Sequence, residues 1–420
     1  RANAGDTITL TIVASEAIKT PTVTIAGKAA TVSGSGGSYT AAYTVVAGDD
    51  TGRVSLTVAF ADIAGNVGTT LTSTTSSTSR VDIDLTAPTL SSVQIASSNA
   101  ASSVRANAGD TITVTFAANE PITSPTVAIA GRTATVTDAG DTDPSTFTAS
   151  YVIVAPEVIE GTASISIAFR DLASNPGVTV TSVTDASAVT IDLTAPTLTT
   201  VTMSSDNAGY ASRANTGDKI TVVIKSNEAI VAPTVLVAGQ NAAVSGSGTS
   251  YTATYTVLAS DTGLDGTTAS VSVAFADMAG NAGATVTSLT SGSGVTIDLT
   301  APKLTTVTMV SNNAGNGTLA NAGDTITVSL TADEAIVAPT VTIAGQSATV
   351  SGSGTSYTAA YTVQASQVTS LDGKAAGVSV VFADIAGNSG TPVTSLTGGG
   401  TVTIDLTPPT LPSVTIASTP

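Results

Sequence analysis

The residues best suited to chemistry are carboxylates that recur at nearly constant spacing. A segment of the form Ile-Asp-Leu-Thr-Ala/Pro-Pro occurs four times and places aspartates at Asp84, Asp192, Asp298 and Asp405, which are 108, 106 and 107 residues apart. Each aspartate follows an alternating β run and precedes a proline, which cannot donate to a strand ladder and holds its predecessor extended. We therefore expect each to lie at a joint where one domain ends and the next begins.

Two further acidic positions recur between these segments. A glutamate before an apolar residue gives Glu120, Glu228 and Glu334. A motif Phe-x-Asp-x-Ala-Gly/Ser-Asn occurs once in each period. In the three later periods it gives an aspartate with an asparagine four residues on: Asp171 with Asn175, Asp277 with Asn281, and Asp384 with Asn388. A third pattern, Asn-x-Gly-Asp, contains Asp110 and Asp218.

The segments that position these residues are predicted to be short β-strands. In the second period, alternating or apolar runs bounded by turn residues predict strands A to G at 90–95, 111–116, 126–129, 133–136, 147–154, 163–169 and 189–193. The Asn-Glu-Pro-Ile segment 119–122 is expected to end strand B. Seven short strands with turn signals and no helical period predict an immunoglobulin-like sandwich. The paired tyrosines of strand E, beginning at Tyr39, Tyr251 and Tyr357, are expected to pack in the core.

This topology predicts where the acids meet. The B–C and F–G loops lie at the pole where strand A enters, whereas strand G and the A–B loop lead to the opposite pole. Carboxylates of consecutive domains should therefore converge at each joint. The predicted sets are Asp84, Glu120, Asp171 and Asn175; Asp192, Glu228, Asp277 and Asn281; and Asp298, Glu334, Asp384 and Asn388, with Asp110 and Asp218 of the A–B loops as further candidates.

Clustered oxygen donors indicate a calcium site. The chain has no histidine and no cysteine, and several carboxylates without nitrogen or sulfur favour Ca²⁺ over zinc or copper. Crowded carboxylates also raise each other's pKa, which a cation would relieve. The alternative is that these acids form turns and accept hydrogen bonds from local backbone. That alternative is strongest for Asp6, Asp110, Asp218 and Asp324.

Composition excludes several function classes. The formal charge of −17 argues against nucleic acid or an anionic membrane as a partner. Without cysteine no disulfide staples the fold, and no apolar run approaches the roughly 20 residues of a membrane span. Without histidine no Ser–His–Asp triad can form, and a catalytic carboxylate pair would not be copied into every period. We therefore expect no enzyme.

The segments Phe60–Asn66, Phe275–Asn281 and Phe382–Asn388, each followed by a strand and Ile-Asp-Leu-Thr-Ala/Pro-Pro, resemble the bacterial immunoglobulin-like repeats of giant secreted surface adhesins. The resemblance covers essentially the whole chain, and the second period departs slightly from it at Phe169–Asn175. It implies an extracellular protein of the bacterial surface, with tandem β-sandwiches forming an extended rod stiffened by calcium.

These observations predict an all-β chain of four immunoglobulin-like repeats acting as a stalk or filament segment. The expected bounds are repeat 1 at 1–86, repeat 2 at 87–194, repeat 3 at 195–300, repeat 4 at 301–407, and a first strand of a following repeat at 408–420. The partners expected are neighbouring repeats, other copies placed end to end, and a host or surface receptor reached through a tip outside this segment. A carbohydrate-binding module is the alternative, which an exposed aromatic cluster would favour.

The two ends of the chain carry a separate prediction. Repeat 1 lacks a strand A, while the segment 409–418 matches 88–97, which is a strand A. One interpretation is a window on a longer repetitive protein. The other is strand donation, in which this segment of one copy completes repeat 1 of the next.

Overall fold

The computed structural model describes residues 1–76, 78–138, 140, 144–156 and 158–418. Regular structure in this part of the chain is almost entirely β, in strands of two to eight residues. No helix there has the length and apolar character that a membrane span requires.

The strands follow the sequence periodicity. Repeat 1 contains β1 (Thr7–Val13), β2 (Thr22–Ile25), β3 (Lys28–Ala29), β4 (Thr31–Ser35), β5 (Ser38–Thr44), β6 (Gly52–Arg53), β7 (Leu56–Ala59) and β8 (Asp82–Ile83). Repeat 2 contains β9 (Leu90–Ser97), β10 (Arg105–Ala106), β11 (Thr111–Ala118), β12 (Ile122–Ile129), β13 (Arg132–Thr133), β14 (Thr135–Asp138), β15 (Thr146–Val152), β16 (Gly161–Thr162), β17 (Ile165–Asp171) and β18 (Thr190–Ile191).

The second half repeats this order. Repeat 3 contains β19 (Leu198–Ser205), β20 (Arg213–Ala214), β21 (Lys219–Ser226), β22 (Thr234–Val237), β23 (Gln240–Asn241), β24 (Ala243–Ser247), β25 (Ser250–Thr256), β26 (Val271–Ala274) and β27 (Thr296–Ile297). Repeat 4 contains β28 (Leu304–Ser311), β29 (Leu319–Ala320), β30 (Thr325–Ala332), β31 (Thr340–Ile343), β32 (Gln346–Ser347), β33 (Thr349–Ser353), β34 (Ser356–Thr362), β35 (Val378–Val381) and β36 (Thr403–Ile404). Helical turns occur at Thr262–Leu264, Ala365–Gln367 and Val368–Leu371 (α1).

The described chain divides into two compact units. The first holds residues 1–195 with 278–281, and the second holds the remainder. Repeats 1 and 2 therefore lie in the first unit, and repeat 4 with most of repeat 3 lies in the second. The exact repeat boundaries given above stay a prediction.

Repeat 2 shows how each sandwich is built. One sheet has the order β14-β15-β11-β9 and the other the order β13-β12-β17. The alternation of β11 turns Ile112, Val114 and Phe116 inward, and each is fully buried. Repeats 3 and 4 have the same pair of sheets. The predicted fold class, tandem immunoglobulin-like β-sandwiches, is confirmed.

A small third sheet fixes the strand that leads into each joint. In repeat 2 its order is β10-β18-β16, with β10 and β18 parallel. Strand β18 is the predicted strand G, and Asp192 follows it directly. The two-residue partners β10 and β16 were not predicted, because segments this short carry no periodic signal.

Two departures from the predicted strands have a clear physical cause. Strand C begins at Ile122, because β12 accommodates Pro125 in a register shift and continues past it. Strand D begins at Thr135, because Arg132 and Thr133 pair with β12 of the other sheet. A helical turn, α1, is present although no helical period is visible.

The first tyrosine of each strand E pair is a core residue, as predicted, whereas Tyr43 and Tyr361, the second tyrosines of their pairs, are partly buried. Tyr39, Tyr251 and Tyr357 are buried, and their hydroxyls donate to the main-chain oxygens of Ile18, Ile230 and Ile336 at 2.9, 2.7 and 2.8 Å. In repeat 2, Phe147 takes this position and stacks on Phe116 with ring centroids 5.5 Å apart.

Candidate metal centre

Three carboxylates from two repeats meet in the first unit. Asp84 follows β8, Glu120 lies between β11 and β12, and Asp171 ends β17. One carboxylate oxygen of each lies within 4.8 Å of those of the other two. Asp84 belongs to repeat 1 and the other two to repeat 2, so the cluster spans the predicted joint. The structure therefore brings together the three acids that the topology predicted to converge.

Asp171 is the most constrained member. Its side chain is fully buried, and its Oδ1 accepts hydrogen bonds from the amides of Ala173 and Asn175, both at 2.8 Å. Its Oδ2 accepts from Nδ2 of Asn175 at 2.8 Å. Such bonds to backbone and amide donors stabilise the charged carboxylate. The F–G loop therefore holds this carboxylate in a defined orientation.

The second unit contains an equivalent cluster at the joint between repeats 3 and 4. Asp298 follows β27, Glu334 lies between β30 and β31, and Asp384 follows β35. Their carboxylates meet the same 4.8 Å limit. Asp384 is buried, and its Oδ1 and Oδ2 accept bonds of 2.8 Å from the main-chain amide and from Nδ2 of Asn388. The scaffold is thus the same in both clusters.

Burial and the charges of neighbouring carboxylates raise the pKa of the glutamate in each cluster. Burial, followed by the charges of Asp298, Asp384, Asp333 and Asp265, raises the pKa of Glu334 to about 7. Burial and the charges of Asp84 and Asp171 raise the pKa of Glu120, whereas Arg1 opposes the rise. Burial and Asp384 likewise raise the pKa of Asp298. Each cluster therefore carries negative charge that is incompletely compensated.

In each cluster an arginine compensates part of the negative charge of the carboxylates. Nη1 of Arg1 lies 2.9 Å from Oδ2 of Asp84, and Nη1 of Arg213 lies 3.6 Å from Oδ2 of Asp298. Both arginines precede the Ala-Asn pair that runs beside strand G. These ion pairs are partly exposed, so their individual contributions to stability are small.

The donor set fits a hard cation. Ca²⁺ binds oxygen at roughly 2.3–2.6 Å, so two ligands on opposite sides of one ion are separated by roughly 5 Å. The carboxylate oxygens of each cluster fall within that span. Because the chain contains no histidine or cysteine, nitrogen and sulfur ligands from side chains of those types are excluded. Both clusters could hold a metal ion.

The predicted set Asp192, Glu228 and Asp277 divides between the two units, so it stays a prediction. Within the first unit, the Asp192 amide donates to the main-chain oxygen of Ala106 at 2.9 Å. Nδ2 of Asn281 donates to the main-chain oxygen of Asp192 at 3.0 Å. Within the second unit, Asp277 is buried and pairs with Ile230 in a β-bridge.

The motif asparagines contribute a donor where an oxygen ligand was expected. Nδ2 of Asn175 donates to the main-chain oxygen of Asp84 at 2.8 Å, and Nδ2 of Asn388 donates to that of Asp298 at 2.9 Å. Each amide therefore ties the F–G loop of one repeat to strand G of the repeat before it. This tie exists in both units independently of any ion.

Asp110 and Asp218 lie outside both clusters, and their side chains have local partners. Oδ2 of Asp110 accepts from the Asn107 amide at 2.8 Å and from Nδ2 of Asn99 at 2.7 Å. Oδ2 of Asp218 accepts in the same way from Asn215 at 2.8 Å and from Asn207 at 2.7 Å. The turn-forming alternative therefore describes their geometry, and the metal-ligand prediction for them stays a prediction.

These two aspartates nevertheless act at the joints through an asparagine. Nδ2 of Asn207, oriented by Asp218, also donates to the main-chain oxygen of Ala386 at 2.7 Å. Asn99, oriented by Asp110, makes the same bond to Ala279 at 2.7 Å. The sequence analysis missed both asparagines, since a single Asn in a Ser/Asn/Ala-rich loop carries no distinguishing pattern.

The sequence analysis also missed three acidic side chains that accept hydrogen bonds from the residues after strand G. Oδ1 of Asp265 accepts from the Leu299 amide at 2.6 Å, and its Oδ2 accepts from the Thr300 hydroxyl. Asp372 makes the same two contacts with Leu406 and Thr407, and Glu160 makes them with Leu193 and Thr194. Each acid precedes a glycine, and this repeated acid–glycine pair is the signal that could have identified it.

No family model matches the chain, and no curated protein matches it. Among solved structures, the I9-I11 tandem from titin aligns with 72% of this chain and 95% of its own at 10% identity and a TM-score of 0.29. The mouse nectin-like molecule 4 ectodomain aligns with 71% of this chain and 96% of its own, at 8% identity and a TM-score of 0.25. The sialic acid binding region of a Streptococcus sanguinis adhesin aligns with 77% of this chain and 78% of its own, at 11% identity and a TM-score of 0.21. At these scores the fold assignment rests on the strand pairing described above.

Proposed function

We propose that this chain is a structural extender, a stalk or filament segment of a bacterial surface adhesin, whose joints are stiffened by calcium. The observation that carries the proposal is the repeated cluster in which strand G of one repeat supplies one carboxylate and the next repeat supplies two. A ligand that must be gathered from two domains restrains their relative motion when it binds.

Asp84 and Asp298 would contribute their carboxylates from strand G, and Glu120 and Glu334 theirs from the B–C loop. Asp171 and Asp384 would contribute from the F–G loop, where backbone amides already orient them. Calcium would supply the positive charge that the arginine of each joint provides incompletely. A cation that binds the folded state alone raises stability by about 2.7 kcal/mol at a hundredfold excess over its dissociation constant.

The test is small-angle X-ray scattering of the full chain in calcium, in magnesium and in chelator. Calcium should narrow the distribution of maximum dimensions, and chelator should broaden it. Magnesium should be less effective, because it demands near-ideal octahedral geometry and gives up its water reluctantly. Identical scattering curves in calcium and chelator would refute the proposal.

Matched variants assign the effect to the clusters. The double variant Glu120→Gln/Glu334→Gln keeps the side-chain shape and removes one charge from each cluster. Glu16→Gln is the control, since Glu16 occupies the same position of repeat 1 and is exposed. The double variant should lose most of the calcium response in scattering and in calorimetric titration, whereas the control should keep it. An unchanged response in the double variant would exclude these glutamates as ligands.

A further inference from the structure

Repeat 4 contains a cavity of about 450 Å³ where its second sheet, α1 and β36 meet. Its walls come from β31 and the turn after it, from α1 and the loop that follows, and from β35 and β36. None of the residues that line it belongs to either carboxylate cluster. Volumes of several hundred cubic ångströms are typical of sites for small ligands. The cavity is therefore large enough to be considered as a site of its own.

One wall of the cavity is a glycine that replaces a serine of the other repeats. The main-chain oxygen of Gly377 accepts a hydrogen bond from the Ala344 amide at 2.7 Å, and in repeats 1, 2 and 3 the corresponding bond ends on Ser55, Ser164 and Ser270. A Cβ atom added at Gly377 would meet nothing within 4 Å, and its φ lies outside the left-handed region. Neither space nor backbone conformation requires a glycine here. The missing side chain therefore widens the cavity in repeat 4.

The loop that contains α1 is one residue longer than its counterpart in repeat 3. Asp261 and Gln367 are equivalent, because each accepts a hydrogen bond from a tyrosine hydroxyl of strand E. Asp265 and Asp372 are equivalent, because each accepts from the linker after strand G. The first and second positions are four residues apart in repeat 3 and five apart in repeat 4. The extra residue accompanies α1, which supplies part of the cavity wall.

Of the described residues that line the cavity, Lys374 alone carries a charge. It stands where repeat 3 has Thr267, since each follows the glycine after the linker-binding acid. In the part of the chain that the structure describes, the ammonium of Lys374 forms no ion pair. Three departures of repeat 4 from repeat 3, namely the inserted residue, Lys374 and Gly377, therefore meet at one cavity.

Two strand hydroxyls of the cavity wall differ from their counterparts in repeat 1. Thr342 and Ser379 are cross-strand partners in β31 and β35. The equivalent Thr24 and Thr57 bond to each other at 2.6 Å, whereas within the described chain the side chains of Thr342 and Ser379 form no such bond. A third hydroxyl, that of Ser370, donates to a main-chain oxygen at 3.1 Å and can still accept. The wall thus offers hydroxyl groups with unused hydrogen-bonding capacity.

The floor of the cavity is apolar and aliphatic. Leu371, Val378 and Ile404 line it and are buried. The described lining residues include no aromatic side chain on which a neutral sugar ring could stack. A ligand must therefore be recognised by charge and by hydrogen bonds, with its carbon skeleton against this floor.

We propose that the cavity of repeat 4 binds a small carboxylate that carries hydroxyl groups, such as a sugar acid. Its carboxylate pairs with Lys374, its hydroxyls bond to Thr342 and Ser379, and its carbon skeleton packs on Leu371 and Val378. One ammonium matches the single charge of a carboxylate, whereas recognition of a phosphate favours several donors or the fork of an arginine. This proposal is independent of the cation sites and goes beyond the role of a structural extender.

Methyl NMR spectra of the full chain, titrated with glucuronate, test the site. The methyl signals of Leu371, Val378 and Ile404 should shift and saturate. Glucose has the same ring without the carboxylate and should require at least about tenfold higher concentration, because it lacks the charge-assisted bond. Chelator is present throughout, so that any effect of calcium on the joints is absent. No saturable shift with glucuronate, or an equal response to glucose, would overturn the proposal.

Two variants return the cavity to the residues of the other repeats. Lys374→Thr introduces the residue of repeat 3, and Gly377→Ser introduces the residue of repeats 1 to 3, so both are expected to fold, which circular dichroism checks. Each should weaken glucuronate binding at least about tenfold. Lys225→Thr is the control, since it removes an exposed lysine of repeat 3 and should leave binding unchanged. Unchanged binding in either variant of repeat 4 would refute the proposal.

A hyaluronan tetrasaccharide distinguishes a free sugar acid from one within a polysaccharide, because it presents glucuronate as part of a chain. Half-maximal shifts at a lower concentration than with free glucuronate would identify the polymer as the ligand, and a higher concentration would identify the free acid. Both results support the cavity as the site. In both cases Lys374→Thr should lose the response, and a response that persists in this variant would overturn the assignment.

Discussion

Nδ2 of Asn175 donates a hydrogen bond of 2.8 Å to the main-chain oxygen of Asp84, which lies in the preceding repeat. The same nitrogen donates to Oδ2 of Asp171 at 2.8 Å. One buried amide therefore connects the incoming strand G to the carboxylate of the F–G loop. Asn388 repeats both contacts with Asp298 and Asp384. This arrangement positions the carboxylates before any cation binds.

Replacing this asparagine should weaken the joint between repeats 1 and 2. Asn175→Ala removes the bond to the main-chain oxygen of the partly exposed Asp84, which costs about 0.5–1.5 kcal/mol. Asn66→Ala is the matched control, since Asn66 bonds to Asp62 within its own loop at 2.6 Å. Hydrogen exchange of the Thr86 amide, which lies in the linker, should accelerate in Asn175→Ala and stay unchanged in Asn66→Ala. Equal exchange in the two variants would show that the contact between repeats contributes nothing.

The stability of the second unit without metal should fall as pH rises from about 4.5 to 7. The pKa of Glu334 in the folded state is about 7, against an ordinary value of 4.5. In this window the folded state therefore holds a proton that the unfolded state has lost, so raising the pH favours unfolding. The pKa values of Asp265 and Asp372 are lowered, so their effects fall below this window.

Calorimetric scans in chelator from pH 5 to pH 8 measure this dependence. Glu334→Gln stays neutral throughout and should reduce it, leaving the contribution of Asp298, whose pKa is also raised, whereas Glu16→Gln should leave it as it is. If the variant keeps the full slope, Glu334 is not the titrating group. Calcium should also flatten the slope, because a cation replaces the proton as the source of positive charge.

The sequence was sufficient to predict the fold and the convergence of carboxylates from consecutive repeats at the joints. Alternation and turn residues identified the long strands, and the sandwich topology placed Glu120 and Asp171 at the pole that faces Asp84. Both inferences depend on features that repeat with the period of the chain. The direction of the Asn175 amide was not predictable, because a side-chain amide offers both a donor and an acceptor and the sequence does not indicate which faces the joint.

The two-residue strands and the hydrogen bonds to the linkers could also not be predicted from the sequence. Strand β10 has two residues, and its pairing with β18 depends on the path of a long loop. Asp265 and Leu299 are 34 residues apart, with β26 and β27 between them, so their contact follows from tertiary structure. Prediction failed where a contact depends on loop paths, and it succeeded where strand periodicity determines which way a side chain points.

Removing Asp265 should loosen the linker between repeats 3 and 4. Its carboxylate accepts from the Leu299 amide and the Thr300 hydroxyl, and these bonds lower its pKa. A lowered pKa means that this contribution is present above the ordinary value of 3.8 and is lost as the pH falls through the folded-state value. Asp265→Ala should therefore accelerate hydrogen exchange of the Leu299 amide at neutral pH. The exposed Asp50→Ala serves as a charge-matched control, and an unchanged Leu299 rate in Asp265→Ala would contradict the role.

Asn207 offers the sharpest comparison, because Asn313 occupies the same position in repeat 4 and, within the described residues, its side chain bonds to residues of its own repeat. Nδ2 of Asn207 donates to Oδ2 of Asp218 and to the main-chain oxygen of Ala386, both at 2.7 Å. Nδ2 of Asn313 donates to Oδ2 of Asp324 at 2.6 Å, and its Oδ1 accepts from Gly315 as that of Asn207 does from Gly209. The two side chains therefore have equivalent partners within their own repeats.

Asn207→Ala and Asn313→Ala should lower the stability of their own repeats by the same free energy. Only Asn207→Ala should also remove the hydrogen bond to the main-chain oxygen of Ala386. Ala386 is fully buried, so the difference between the variants should be about 1–3 kcal/mol, the cost of an unsatisfied buried acceptor. Native-state hydrogen exchange in the F–G loop of repeat 4 measures it, because opening of that loop should become easier in Asn207→Ala only. Equal protection of the loop in both variants would mean that the bond adds nothing to the joint, and that the carboxylate cluster and the Asn388 tie hold repeats 3 and 4 without it.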